Sequence, residues 1–222
     1  QVQEHLTRLR ERRVGVVGPV HGPLASGEVG WGRMADPVDI VAAIESAFRP
    51  LDFSGRKVLI TAGPTHEPID PVRFISNRSS GKMGYAIAEA AQARGAQVVL
   101  VTGPTALPIP RGVEVVSVAT AEEMTKAMST RLAWSTAVIM AAAVADFRPM
   151  NPVSKKIKKQ GRSEQTLHLE RTTDILASLS AQRTTQLMVG FAAETNDLIA
   201  HAKRKLTGKG LDLIVANDIT TL

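Results

Sequence analysis

From Lys57 onward, short apolar runs alternate with longer segments in which apolar residues recur every three or four positions. The runs are rich in Val, Ile and Leu, which is typical of buried parallel strands. Predicted strands are KVLITAG (57–63), QVVLVTGP (97–104), VEVVSV (113–118), TAVIMAAAVADFRP (136–149, running into a loop), TLHLER (166–171, more exposed), LMVGFAAET (187–195) and DLIVAND (212–218). Predicted helices cover 81–94, 120–133, 172–183 and 196–206.

This alternation predicts a doubly wound α/β fold, with a mostly parallel Rossmann-like sheet and helices on both faces. Thr120 and Glu123 predict a capping box at the start of the second helix. Ligands of such sheets bind outside the carboxyl ends of the strands. We therefore expect a site near the predicted strand ends TAGPT (61–65), VTGPT (101–105), AAAVADF (141–147), GFAAET (190–195) and VAND (215–218).

The first 50 residues differ from the rest of the chain. Residues 16–37 are dense in Gly and Pro and predict a loop. Residues 36–48 predict a short helix with Asp36 as N-cap and Pro37 in the first turn. The linker RPLDFSG (49–55) then places a domain boundary between residues 1–50 and residues 51–222.

Composition narrows the class of protein. With 222 residues, 44% of them hydrophobic and 22% charged, the chain is expected to be globular. Cysteine is absent, which excludes disulfides, thiolate metal sites and a cysteine nucleophile in this sequence. No apolar run reaches the ~20 residues of a membrane span, and no signal-peptide core follows the first charges. We expect a cytoplasmic enzyme, cut from something longer because the sequence lacks an initial Met.

The formal net charge is +6, and basic residues concentrate in KKIKK (155–159) and KRKLTGKG (203–210). Such clusters can be ordinary solvated surface, a nucleic-acid contact or a site for a small polyphosphate. Nucleic-acid binding would benefit from aromatic side chains on which bases can stack. Aromatics are only 4% of the residues, and none lies between those lysines, which favours a small anionic ligand.

The stretch SNRSSGKMGYAIAEAA (76–91) looks at first like a phosphate loop. A Walker motif needs Gly five residues before the Gly-Lys pair and Ser or Thr after it; here Ser76 and Met83 occupy those positions. The dinucleotide pattern G-x-G-x-x-G is missing as well. Ser79, Ser80 and Gly81 remain as a helix N-terminus that either binds an anion or is simply capped by a serine.

The helix that follows this stretch has a row of small side chains. We expect them to let the helix approach the sheet closely; they are Gly84, Ala86, Ala88, Ala90 and Ala91.

Four motifs together resemble phosphopantothenoylcysteine synthetase. They are ITAGPTHEPIDPVRFISNRSSGKMG (60–84), AAAVADFRP (141–149), KIKK (156–159) and DLIVAND (212–218), and the resemblance covers about residues 55–222. In bacteria this enzyme is usually the C-terminal half of a bifunctional protein whose other half is a decarboxylase. Family members continue beyond the last motif, so the C-terminal end here is expected to be incomplete.

The segment LASGEVGWGRMADP (24–37) resembles the end of that decarboxylase half. Ser26 stands where the family commonly has its catalytic cysteine, and the FMN site belongs to a part of the decarboxylase that this sequence lacks. The resemblance therefore implies no decarboxylase activity for this chain.

The resemblance implies a ligase of coenzyme A biosynthesis. CTP, carried with Mg²⁺, activates 4′-phosphopantothenate as an acyl-cytidylate and pyrophosphate leaves. The amine of L-cysteine then attacks, giving phosphopantothenoylcysteine and CMP. The resemblance also implies a homodimer formed through the synthetase domain.

Carried over position by position, the resemblance implies a nucleotide site of Met140, Ala141, Ala142, Asp146, Lys156, Thr173, Asp174, Ile175, Leu176, Phe191, Lys205 and Lys209. Asp146 is also a possible metal ligand, although the metal ligands stay unknown. Taken alone, the lysines are compatible with surface charge, Asp146 with a turn, Asp174 with a helix cap and Phe191 with core packing.

The same resemblance implies a substrate site of Arg73, Asn77, Ser79, Ser80 and Gly81. Asn77 and Lys156 are the predicted catalytic residues. Lys156 would contact the nucleotide phosphates, and the Asn77 amide would donate to the acyl-cytidylate. Arg73 can pair bidentately with phosphate or carboxylate. A turn role remains the alternative for Asn77.

Two other classes stay open from the residues alone. A nucleotide-sugar or NAD-dependent oxidoreductase can share this fold, but Tyr85, the only tyrosine, is followed at 89 by Glu rather than by the lysine of a Tyr-x-x-x-Lys pair. A non-catalytic nucleic-acid-binding module is supported only by the positive charge.

Overall fold

A computed structural model describes residues 2–158, 164–194 and 197–218. The chain divides into two compact units, residues 1–50 and residues 51–222. The helices are α1 (Val2–Glu11), α2 (Pro37–Ala47), α3 (Lys82–Ala93), α4 (Ala121–Leu132), α5 (Ile175–Gln182) and α6 (Leu198–Gly208). The strands are β1 (Val20–Pro23), β2 (Val29–Arg33), β3 (Lys57–Ala62), β4 (His66–Pro68), β5 (Phe74–Ser76), β6 (Gln97–Thr102), β7 (Glu114–Ser117), β8 (Ala137–Met140), β9 (Phe147–Pro149), β10 (Leu169–Arg171), β11 (Leu187–Glu194) and β12 (Leu213–Asp218).

The centre of the second unit is a six-stranded sheet with the order β12-β11-β8-β3-β6-β7. Every neighbouring pair is parallel. The chain first builds outward from β3 through β6 to β7 and then crosses back to β8 on the other side of β3. The strand order therefore reverses between β3 and β8, the kind of position where ligands of doubly wound sheets bind.

Both faces of this sheet are covered, as the strand pattern predicts. Val58 and Ile60 of β3 point to the face where α3 packs, whereas Leu59 between them points to the face of α4 and α5. Because side chains alternate along a strand, one buried run supplies both cores. The predicted doubly wound α/β fold is confirmed.

Helix α3 lies close to the sheet because of one residue in its first turn. A Cβ added to Gly84 would lie 2.5 Å from the Ala62 Cβ and 2.8 Å from the Thr61 carbonyl oxygen. Ala88 and Ala91 are buried on the same helix. Ala86 and Ala90 are exposed, so the prediction that they face the sheet was wrong; they fall on the solvent side of the 3.6-residue period.

Local details around two helix starts differ from the sequence prediction. Gly81, not a serine, is the N-cap of α3, with φ at 78°, a backbone conformation that favours glycine. Ser79 and Ser80 accept instead from the N–H groups of Gly81 and Lys82, at 3.3 and 3.5 Å. Thr120 and Glu123 form the predicted capping box of α4.

In the first unit, the segment predicted as loop contains the antiparallel hairpin β1–β2. Its glycines, Gly22 paired with Gly30, hide the alternation that normally marks strands. Asp36 is the N-cap of α2 as predicted, but its carboxylate accepts from Arg33 Nη2 (2.9 Å) and makes no cap hydrogen bond.

Two further strand pairs were not expected. Strands β4 and β5 form an antiparallel hairpin directly after β3, and β9 pairs with β10. In the part of the chain that the structure describes, no helix combines the length and apolar character needed to cross a membrane.

Candidate functional site

A cavity of about 540 Å³ opens where β8 and β11 end and α5 begins. This volume is within the roughly 300–1,000 Å³ of small-molecule sites. It brings together ten residues predicted for the nucleotide: Met140, Ala142, Asp146, Thr173, Asp174, Ile175, Leu176, Phe191, Lys205 and Lys209. Ala141 and Lys156 are not among its lining residues. Sequence reasoning missed four others that line it: Val144, Phe147, Arg171 and Thr172.

The start of α5 forms one wall of the cavity. Asp174 is the N-cap, and its Oδ1 accepts from the Ala177 N–H (2.9 Å). Its Oδ2 is paired with Lys209 Nζ. Asp174 is thus a helix cap, the alternative that the sequence left open, and also the counter-ion of a cavity lysine.

Helix α6 brings two lysines to the lining of the cavity. Lys205 Nζ donates to the carbonyl oxygen of Phe191 (2.6 Å), and Lys209 follows the last helical residue. An ammonium group has three donors, and Phe191 is the one acceptor of Lys205 among the described residues, so within this part of the chain two N–H groups remain for a ligand. Together with Arg171, the lining residues carry three cations against the carboxylates of Asp146 and Asp174, a balance that suits an anionic ligand.

The floor of the cavity is backbone held in place by buried threonines. The Thr61 hydroxyl accepts from the Ala142 N–H (3.1 Å) and the Thr65 hydroxyl accepts from the Ala145 N–H (3.0 Å). Both threonines are completely buried. Ala142 lines the cavity between Met140 and Val144, whereas Thr61 and Thr65 are not among its lining residues, so the hydroxyls fix the backbone without occupying the cavity. The position of Thr61 and Thr65 at the end of an apolar strand was the only signal for this role.

Asn77 lies behind that backbone. Its Nδ2 donates to the carbonyl oxygens of Val144 (2.9 Å) and Ala143 (3.3 Å). Carbonyl oxygens only accept, so the amide nitrogen must face them. Both donors that the sequence argument assigned to a ligand are therefore engaged, and Oδ1 is left as the group that can meet one.

Ser79, Ser80 and Gly81 do not line the cavity. Gly81 lies against the ends of β3 and β6, where an added Cβ would be 2.7 Å from the Thr105 methyl and 3.3 Å from the Gly63 Cα. These residues belong to the same carboxyl edge of the sheet, on the side of α3 rather than that of α5.

Arg73, at the tip of the β4–β5 hairpin, contacts the segment that carries Lys156. Arg73 Nε and Nη2 both donate to one oxygen of Asp70, Oδ2, and Nη2 also donates to the Ile157 carbonyl oxygen (2.9 Å). The ion-pair partner of Arg73 is thus a carboxylate of the protein. Lys156 is exposed and has no ion-pair or hydrogen-bond partner among the described residues.

The segment that carries Lys156 starts and ends at the cavity. Phe147 and Arg171, both cavity residues, are opposite each other in the β9–β10 pair. Residues 150–168 connect the end of β9 to the start of β10. Lys156 therefore lies on an excursion anchored at the rim of the site.

Asp146 lies exposed at the rim of the cavity, as the possible metal ligand. Among residues 2–158, 164–194 and 197–218, no group of three or more His, Cys, Asp or Glu side chains could hold a metal ion. A single carboxylate fits a Mg²⁺ that is carried mainly by substrate phosphates, which needs few protein ligands.

Comparison with known proteins matches residues 53–222 to the model of the DNA/pantothenate metabolism flavoprotein C-terminal domain family. The coenzyme A biosynthesis bifunctional protein CoaBC of Vibrio vulnificus strain YJ016 is 46% identical over 220 residues, which cover 98% of this chain and 55% of that protein. CoaBC of Bacillus subtilis strain 168 is 48% identical over 209 residues, covering 91% of this chain and 51% of that protein. The chain spans about half the length of these relatives.

Among solved structures, the crystal structure of the C-terminal domain of CoaBC aligns with a TM-score of 0.67. It is 48% identical, and the alignment covers 75% of this chain and 79% of that one.

Proposed function

Because this chain belongs to the family of the DNA/pantothenate metabolism flavoprotein C-terminal domain, we propose that it is a CTP-dependent phosphopantothenate–cysteine ligase of coenzyme A biosynthesis. The name of its relatives, coenzyme A biosynthesis bifunctional protein, supports the pathway. The ligase reaction, rather than the other activity of a bifunctional protein, is supported by the match to the C-terminal domain.

One observation carries the nucleotide assignment: the cavity between β8, β11 and α5 gathers two lysines, an arginine and a helix N-terminus around exposed backbone. Cations and free N–H groups at a helix start stabilise phosphate. Met140, Ala142 and the ring of Phe191 line the same cavity and provide groups that can meet a base. Such a lining fits a nucleoside triphosphate better than an uncharged ligand.

In the first proposed step, a carboxylate oxygen of 4′-phosphopantothenate attacks the α-phosphorus of CTP, and the bond to pyrophosphate breaks. Negative charge moves onto the departing pyrophosphate. Lys205 and Lys209 hold the phosphates, while Lys156 is proposed to stabilise the leaving charge. Positioning and electrostatic stabilisation are the main contributions that a protein can make to phosphorus transfer.

In the second proposed step, the cysteine amine attacks the acyl carbon, forms the amide bond, loses a proton and expels CMP. Asn77 is proposed to act at this stage. Its Nδ2 holds the backbone of Ala143 and Val144, so it positions the floor of the cavity. Its Oδ1 is available to accept from the incoming amine.

Mg²⁺ is proposed to enter as the CTP complex, with Asp146 as the one protein carboxylate near it. When bound it would neutralise phosphate charge. The residues of this chain would bind and orient the complex of Mg²⁺ with CTP. FMN is proposed to belong to the decarboxylase part of the bifunctional relatives, so we propose that this chain has no decarboxylase activity. We also propose that the protein is cytoplasmic and that it forms a homodimer through the synthetase domain.

A thermal-shift panel tests this function. CTP with Mg²⁺ should raise the melting temperature more than CMP does, because only CTP places β- and γ-phosphates against the lysines. At a hundredfold excess over its dissociation constant, CTP should add ~2.7 kcal/mol to the free energy of unfolding. Equal shifts for CTP and CMP would contradict a polyphosphate site. A larger shift with NAD or with DNA would favour the oxidoreductase or the nucleic-acid module instead.

A further inference from the structure

Asp70 is a buried carboxylate at the tip of the β4–β5 hairpin, and the nucleotide cavity does not include it. Its side chain is 0% exposed, whereas the side chain of its partner Arg73 is 47% exposed. A buried charge is stable only when its hydrogen-bonding capacity is met. Such a group therefore marks a place where the fold depends on a specific polar contact.

The carboxylate of Asp70 is fully used, and by two different parts of the chain. Its Oδ1 accepts from the N–H groups of Val72 (2.8 Å) and Arg73 (2.9 Å), which shapes the hairpin tip. Its Oδ2 accepts from Arg73 Nε (3.0 Å) and from the Ile157 N–H (3.1 Å). The contact to Ile157 is long-range in sequence, so Asp70 joins the hairpin to the excursion of residues 150–168.

We define a clasp as Asp70, Arg73 and the backbone of Ile157. One further hydrogen bond completes the clasp, and another lies beside it. Arg73 Nη2 donates to the Ile157 carbonyl oxygen (2.9 Å), so both backbone groups of Ile157 are held by one ion pair. The Val153 N–H donates to the Ile69 carbonyl oxygen (3.0 Å) beside it. The backbone on the C-terminal side of Lys156 is thereby fixed, although the lysine side chain itself is exposed.

The hairpin also leads directly to Asn77, the residue after β5. One short element therefore carries Asn77 at its end and holds the Lys156 segment at its tip. We propose that Asp70 is a positioning residue for ligation: its buried carboxylate fixes Ile157, and with it Lys156, relative to the hairpin that carries Asn77. This inference rests on the proposed function through ligation itself and the roles given to Lys156 and Asn77.

Limited trypsin digestion of the full chain tests the clasp without any nucleotide. Cleavage of the Lys156–Ile157 bond requires that the backbone of Ile157 be released, so its rate reports the open population. Asp70→Asn removes the charge that strengthens the hydrogen bonds to Arg73 and Ile157. We therefore expect this substitution to raise the rate of cleavage by roughly tenfold. Asp212→Asn is the matched control, because Asp212 also joins an arginine, Arg183, to a backbone N–H, that of Met188.

Arg73→Lys provides a second variant that keeps the charge but lacks the planar guanidinium that donates to both Asp70 and the Ile157 carbonyl oxygen. It should also accelerate cleavage of the Lys156–Ile157 bond if Asp70→Asn does not fold well enough to measure. Unchanged cleavage in a folded Asp70→Asn or Arg73→Lys protein, or equal acceleration in Asp212→Asn, would overturn the clasp.

A double-mutant experiment then separates positioning from general stability. Asp70→Asn should slow pyrophosphate formation by about tenfold to hundredfold in the unmodified background, a range expected for a misplaced group. In the Lys156→Gln background it should slow the reaction no further. Equal slowing in both backgrounds would overturn the positioning role. If the unmodified chain releases no pyrophosphate at all, the proposed function fails, whereas the trypsin result still decides the clasp.

Discussion

Lys209 and Asp174, which both line the cavity, form a direct ion pair, although 35 positions separate them in sequence. The same carboxylate caps α5 through the Ala177 N–H. A triphosphate that binds here therefore meets a lysine whose charge is already partly compensated. The pair links the start of one cavity helix to the end of the other.

Lys209→Gln should weaken CTP binding more than CMP binding. Removing a charge-assisted contact to phosphate typically costs ~1.5–3 kcal/mol, or about tenfold or more in the dissociation constant. Isothermal titration with both nucleotides measures this difference. Lys203→Gln is the control, because Lys203 is an exposed lysine of α6 that does not line the cavity. Equal losses for CTP and CMP would show that Lys209 does not meet the outer phosphates.

Lys156→Gln and Asn77→Ala should affect different steps. Without cysteine, the unmodified protein should release a burst of about one pyrophosphate per site and then slow sharply. Lys156→Gln should slow the burst itself by ~10²–10³, the range for removing one group that stabilises transition-state charge. Asn77→Ala should leave pyrophosphate release largely intact but delay amide formation after cysteine is added.

Rapid-quench measurement of pyrophosphate and phosphopantothenoylcysteine separates these two outcomes. A normal burst in Lys156→Gln would remove that lysine from the first step. Equal slowing of both products in Asn77→Ala would mean that its hydrogen bonds to Ala143 and Val144 shape the whole cavity rather than the second step.

Gly84→Ala should destabilise the protein although alanine is the better helix former. The new Cβ would lie 2.5 Å from the Ala62 Cβ and 2.8 Å from backbone, and overpacking of this kind typically costs ~1–3 kcal/mol. Gly208→Ala, also in a helix but with nothing within 4 Å of the added Cβ, should instead stabilise by ~0.4–1 kcal/mol. Urea unfolding of both variants measures the difference, and a stabilised Gly84→Ala would contradict the close approach of α3.

The Asp70 clasp should make stability fall in acid. The hydrogen bond from the Arg73 guanidinium, outweighing burial and helped by the N–H of Ile157, holds the pKa of Asp70 well below its usual value of 3.8. A depressed pKa stabilises the fold above the unfolded-state value, and this stability is lost as pH falls toward the folded-state value. The Asp70→Asn protein should therefore lose less stability than the unmodified protein between about pH 5 and pH 3. The melting temperatures of both proteins, measured against pH over this range, test this prediction. An equal fall in melting temperature for the two proteins would contradict it.

Sequence pattern was a good guide where side-chain periodicity decides the structure. The apolar runs from Lys57 onward gave the parallel strands of the central sheet, and Thr120 with Glu123 gave the start of α4. The family resemblance drawn from four motifs is confirmed by the match over residues 53–222. Ten residues predicted for one ligand line one cavity because strand ends and helix starts meet at the carboxyl edge of such a sheet.

What the sequence did not reveal depends on contacts between distant segments. The hairpins β1–β2 and β4–β5 are short and rich in Gly, Pro or polar residues, so their pairing leaves no periodic signal. The partner of Arg73 could not be predicted either, since a guanidinium pairs equally well with phosphate or with a carboxylate of the protein. Nothing in the local sequence connects Asp70 to Ile157, which is far along the chain.

The β9–β10 pair has a consequence for how this protein family can vary. Because Phe147 and Arg171 are fixed opposite each other, the two strands hold the ends of the segment between them at one separation. Insertions or deletions on the C-terminal side of Ile157 would change the entropy of closing this loop by only about 0.6 kcal/mol for each doubling of length. Changes at residues 153–157 would instead break the hydrogen bonds to the β4–β5 hairpin, so we expect only one side of this segment to tolerate changes in length.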